Sequence, residues 1–93
     1  MTNKIIIMGI PFSVTYVAKI DKENSMGESN GAERKIKIQK GLDKSIEEAT
    51  LMHEIIHSIL YLTGQAEQLN EDQEEGLVLA LEHGLSQIYE RKK

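Results

Sequence analysis

Apolar residues recur along this chain with two periods, about 2 residues before position 45 and about 3.6 after it. "KIIIM", residues 4–8, is short, β-branched and uncharged, as a strand is. "FSVTYVAKI", residues 12–20, sets Phe12, Val14, Tyr16 and Ala18 against Ser13, Thr15, Val17 and Lys19, the alternation of a half-buried strand. Gly9 to Pro11 marks a turn between them. "DKENSMGESNGAE", residues 21–33, is rich in turn formers and charges and predicts an exposed loop. "RKIKIQK", residues 34–40, alternates again, giving Ile36 and Ile38 to a core and Lys35 and Lys37 to water. Outward lysines suit a protected sheet edge and, equally, an ordinary exposed sheet face.

After a turn at Gly41 to Lys44 the period lengthens. Ser45 followed by Glu48 fits a capping box, so a helix is expected over 46–63, ending at Gly64 as a left-handed C-terminal residue. His53, Ile56, His57 and Leu60 share one face with Ile46 and Ala49, while Leu51, Met52, Ile55, Ile59 and Leu62 cover most of the rest. A helix apolar nearly all round is a buried one. "QAEQL" reads as a polar loop. Asn70, with Gln73 three residues on, then caps a second helix over 71–91, whose inner stripe is Leu77, Val78, Leu81, Leu85 and Ile88. Three strands followed by two helices predict an α+β domain with a small three-stranded antiparallel or mixed sheet.

The length of 93 residues is that of one small domain, so 1–93 is read as a single unit with a strand region over 4–40. The chain has no cysteine. That excludes a disulfide framework and a thiolate metal site, leaves His and carboxylate as metal ligands, and fits a reducing cytoplasm. Neither a signal peptide nor a membrane-spanning stretch is expected. Charge is lopsided: residues 1–44 hold eight Lys or Arg against five Asp or Glu, and residues 45–93 hold three against ten. The acidic half disfavours nucleic acid, and the basic residues Arg34, Lys35, Lys37, Lys40 and Lys44 lack interleaved aromatics, so no nucleic-acid partner is expected. The acidic half suits a cation or a basic peptide, and a solvated acidic face accounts for many of its carboxylates.

Within the first helix stands "LMHEIIHSIL", residues 51–60. His53 and His57, four residues apart, point within about 40° of one another, so two imidazoles can meet one ion. Glu54, turned by about 100°, reaches a water on that ion without ligating it. This is the H-E-x-x-H signature of zincins: two histidines on zinc and a glutamate as general base for metal-bound water. Core histidines bonded to backbone or Glu are the structural alternative. A catalytic zinc needs a third protein ligand. His83, Glu71, Asp72, Glu74 and Glu75, all on the second helix, are in range. Glu74 projects from the centre of the Leu77, Val78, Leu81 stripe, where a lone carboxylate is costly, and Glu75 lies on its flank with Glu71 and Glu82.

Residues 34–91, with "LMHEIIHSIL" followed by an acidic loop and "EEGLVLALEHGLSQIYER", resemble the small zinc metallopeptidase-like proteins of bacteriophages and prophages, distant relatives of the ImmA/IrrE-type peptidases. The resemblance implies a minimal zincin-like domain with Zn²⁺ as cofactor, His53 and His57 as ligands, Glu54 as base and Glu75 as third ligand, with Glu74 the alternative. Those relatives often carry a small or polar residue one turn beyond the glutamate, where this chain has Leu79. The expected activity is a cytoplasmic hydrolase of peptide bonds acting on a peptide or protein, such as a regulator, with "RKIKIQK" as an edge strand that pairs with extended substrate. His83 and Tyr61 are read as a surface histidine and a packing residue rather than oxyanion donors. The alternative function is a zinc-binding, non-catalytic interaction protein encoded by a phage.

Overall fold

The computed structural model describes residues 2–21 and 25–91, with side chains over 3–21 and 25–85. Strands β1 (Thr2–Ile7), β2 (Ile10–Val17), β3 (Gly27–Asn30) and β4 (Lys35–Gln39) precede helix α1 (Lys44–Leu62), a 3-10 turn (Gln65–Gln68) and helix α2 (Glu71–Arg91). The strands form one mixed sheet in the order β1-β2-β4-β3, with β2 and β4 parallel and the two outer pairs antiparallel. The class is α+β as expected, with four strands rather than three. β3 lies within the stretch expected to be loop. Its sequence, GESN, has no apolar alternation; pairing with β4 makes it a strand.

That fourth strand moves the sheet edge. β4 is bonded on both sides, so "RKIKIQK" is not an edge strand and its exposed lysines lie on the open sheet face. The free edge beside α1 belongs to β3.

Alternation on β2 and β4 builds the core: Phe12, Val14, Ile36 and Ile38 are buried with Ile7, and Leu51, Ile55 and Leu62 of α1 pack onto them, whereas β2 stops at Val17 and Ala18, expected on the inner face, is exposed. A second cluster, Ile56, Leu60 and Val78, joins α1 to α2. α2 packs chiefly on α1, so its expected inner stripe is mostly uncovered. Val78 is sealed, whereas Leu77, Leu81 and Leu85 are exposed, and the side chain of Ile88 lies outside the described residues. α1 is likewise not apolar and buried all round, since Ile46 and Ile59 are exposed.

Helix ends follow the sequence at the start of α2 and the end of α1. Asn70 and Gln73 cap α2 reciprocally, the Gln73 N–H donating to Asn70 Oδ1 at 2.8 Å and the Asn70 N–H to Gln73 Oε1 at 3.0 Å. Gly64 has φ of 78° just past α1, and α2 reaches Arg91, the last described residue. The start of α1 differs: the Glu47 N–H already bonds the Asp43 carbonyl at 2.8 Å, so Asp43 rather than Ser45 is the N-cap, and it makes no side-chain cap bond. No helix among the described residues is long and apolar enough to cross a membrane.

The β1–β2 turn sits at Met8 and Gly9, with φ of 51° and 79°, and closes on the Ile7–Ile10 pair. Pro11, expected in the turn, is within β2 before β4 begins to pair at Ser13. Two positive φ values in a two-residue hairpin favour Asn-Gly. Met8 is exposed, so Met8→Asn relieves backbone strain without loss of packing. Stability should rise by about 0.5–1 kcal/mol, seen as a higher urea midpoint at unchanged slope.

Candidate metal centre

α1 presents His53, Glu54 and His57 where β3 crosses it on one side and α2 returns on the other. The crossing is close. A Cβ built on Gly27 stands 2.7 Å from Thr50 Cγ2, 3.1 Å from Glu54 Cγ and 3.2 Å from Glu54 Oε2, and one on Gly31 would overlap the Tyr61 ring. Two glycines four residues apart let the strand lie on the helix. Gly27→Ala therefore wedges β3 away from Glu54, costing about 1–3 kcal/mol in denaturant unfolding, the usual overpacking range. Because His53 and His57 do not touch this wedge, metal binding should survive it.

The imidazole rings of His53 and His57 are 5.0 Å apart between centroids. His53 Nε2 lies 2.6 Å and His57 Nε2 3.5 Å from the same atom, Glu75 Oε1. The two histidines and Glu75 offer three donor atoms within 4.8 Å of one another. The opposite nitrogens are also engaged: His53 Nδ1 pairs with Glu82 Oε1 at 2.8 Å and His57 Nδ1 with Glu74 Oε2 at 2.5 Å. Carboxylates only accept, so each Nδ1 carries the proton, and in the neutral ring each Nε2 turns a lone pair toward Glu75.

Lone pairs and a carboxylate oxygen do not converge without a cation. Glu75 Oε1 is buried and accepts no aligned hydrogen bond, despite its short contact with His53. A proton or a metal ion resolves the conflict. Two imidazole nitrogens and one carboxylate oxygen, each ring backed by a second carboxylate, form a donor set that zinc accepts.

The electrostatics agree with this geometry. Burial alone would lower the His53 pKa, but the Glu82 hydrogen bond and the charges of Glu75, Glu54 and Glu82 outweigh it and raise His53 above its ordinary 6.5. Burial also pushes the Glu54 carboxyl above its ordinary 4.5. Glu75 adds to that shift, while the His57 and His53 charges and a hydrogen bond from Ser29 oppose it. Glu54 is buried yet lines the cleft beside the two histidines.

Of the residues expected at the site, the structure brings His53, Glu54, His57 and Glu75 together. It puts Glu74 on the far nitrogen of His57, away from the three converging atoms. Glu71 lines the cleft, Asp72 is exposed, and His83 is exposed on α2. Tyr61 is half exposed and lines the cleft against Gly31, which makes it a wall residue rather than only a packing one. Glu82, the His53 partner, had only its spacing as a signal: seven residues after Glu75, it repeats the same helix face.

No protein-family model, curated protein or solved structure matches the chain.

Proposed function

We propose that the protein is a zinc-dependent peptidase whose ligands are His53, His57 and Glu75. The observation that carries this reading is the buried Glu75 Oε1, without an aligned hydrogen bond and facing two imidazole nitrogens whose other nitrogens are held by Glu74 and Glu82. Zinc, when bound, supplies Lewis acidity that acidifies a water and polarises a carbonyl.

The chain's own residues account for the rest. Glu54 takes the proton of the attacking water and returns it to the leaving amine as the water oxygen bonds to the carbonyl carbon and the C–N bond breaks. Burial raises its pKa, which makes the carboxylate a stronger proton acceptor. β3 offers a rail for an extended peptide. Met26 and Gln39 form a bonded pair, the Gln39 N–H donating to the Met26 carbonyl at 2.9 Å. By alternation Gly27 and Ser29 then direct their N–H and C=O groups away from β4, toward the open edge. The lack of cysteine fits work in the cytoplasm.

Metal-stripped protein titrated with zinc tests the reading. At 100 times the dissociation constant, zinc adds about 2.7 kcal/mol, or roughly 10–20 °C in Tm for a chain of this size. The pH dependence changes sign with loading. Without metal, the folded chain holds protons on His53 and Glu54 more tightly than the unfolded chain, so stability falls as pH rises from about 4.5 through the raised His53 value. Zinc must displace the His53 proton, so its stabilisation grows over the same range. Sub-stoichiometric zinc, or casein cleavage that persists in chelator, would refute the proposal.

A further inference from the structure

Two cavities flank the three converging donor atoms, and their walls differ. One, of about 370 Å³, is bounded by Tyr61, Glu28, Glu71 and Glu74. The other, of about 560 Å³, runs from His53, Glu54 and Glu75 toward the N-terminal end of α1. There it is walled by Met26, Ile46, Ala49 and Leu79. Met26, Ile46 and Leu79 are each at least 40 % exposed, so α1, α2 and the residue before β3 contribute large apolar side chains to one place and leave them uncovered.

We infer that this second cavity is a subsite for one bulky apolar side chain of an extended peptide, such as Leu, Met or Phe. The inference rests on the peptidase reading and adds the substrate class to it. The occupant follows from the backbone beside the cavity. Gly27 of the β3 edge and Ser25, two residues before it, line both cavities, so a peptide hydrogen-bonded along that edge passes from one to the other across Glu54. Ala49 precedes His53 by one helical turn and Ile46 by two, about 6 and 10 Å along the axis. A strand advances about 3.3 Å per residue, so the apolar side chain belongs within three residues of the scissile bond. A free hydrophobic small molecule would not use the strand edge.

The subsite can be filled without touching the core. Ala49 and Leu79 are exposed, so Ala49→Phe closes the cavity and Leu79→Ser opens its wall while the fold is kept. The probe is a set of fluorescein-labelled decapeptides of alanine and serine carrying Leu, Phe or Asp at each position in turn, read by anisotropy on zinc-loaded Glu54→Gln protein. Leu or Phe at one position should bind about 10–100-fold more tightly than Ala, the worth of burying such a side chain. Asp there should not bind, and both cavity variants should erase the preference. An equal response at all positions, or a preference that survives Ala49→Phe, overturns the subsite. The peptidase reading fails separately: apolar binding without cleavage by wild type defeats that reading alone, and cleavage without apolar preference defeats the subsite alone.

Discussion

Zinc affinity should fall by more than about 100-fold in Glu75→Ala, and by about 10–100-fold in Glu74→Ala and in Glu82→Ala, the range for carboxylates that back a ligating histidine. The ordering comes from which atom each carboxylate faces. Glu75 Oε1 meets both Nε2 atoms, whereas Glu74 and Glu82 each hold one Nδ1. Removing a backing carboxylate leaves the ligand in place but frees its ring to rotate and to change tautomer. Removing Glu75 takes away a third of the donor set. The metal-free proteins should respond in the opposite order. Glu75→Ala deletes a buried oxygen that has no aligned hydrogen bond, so above the pH at which His53 loses its proton metal-free stability should hold or rise, while Glu74→Ala leaves the His57 N–H without its acceptor and should lose about 1–3 kcal/mol. Zinc titration and urea unfolding of the three variants read both orders. A larger zinc loss in Glu74→Ala than in Glu75→Ala would exchange the two roles.

Sequence periodicity carried the parts of this fold that depend on neighbours in the chain. Asn70 and Gln73 announced α2 because a capping box is complete within four residues. Ile36 and Ile38 announced β4 because one face of a strand is written at every second position. β3 was hidden for the converse reason. Gly27 to Asn30 form a strand through partners on β4 and through contact with α1, and Gly27 is needed there for lack of a Cβ, which in sequence reads as a loop residue. The exposure of Leu77, Leu81 and Leu85 has the same origin: helical period shows that a face is apolar, and only the packing of α2 on α1 alone decides that little covers it.

The site divides along the same line. His53, Glu54 and His57 were readable because their geometry is set by a single helix. The spacing also brought Glu74 and Glu75 within reach, but their rotation relative to α1 is tertiary. Glu74 lies one turn before the sealed Val78, so the helix face that packs on α1 carries Glu74 to the outer nitrogen of His57. Glu75, one position on, swings to the inner side. The position of Glu74 at the centre of the stripe favours it as the third ligand, whereas its carboxylate pairs with the Nδ1 of His57.

Glu54→Gln should reduce peptide cleavage by about 10²–10⁴-fold, the usual contribution of a positioned general base, while zinc content stays stoichiometric. The amide keeps the shape of the carboxylate but cannot take a proton from water. Neither His53 nor His57 uses Glu54 as a hydrogen-bond partner, so the donor atoms keep their places. The same substitution should leave the metal-free protein at least as stable as wild type at neutral pH. Burial holds the Glu54 pKa above its ordinary value, which means that the ionised form is disfavoured in the folded chain. That penalty is absent below about pH 4.5, grows as pH rises and Glu54 ionises, and does not exist for a neutral amide. The stability difference between Glu54→Gln and wild type should therefore widen from acid toward neutral pH. Lost cleavage with retained zinc and a widening stability gain would mark Glu54 as a residue kept for chemistry at a cost to the fold. A variant that still cleaves, or that loses its zinc with its activity, would remove Glu54 from the role of base.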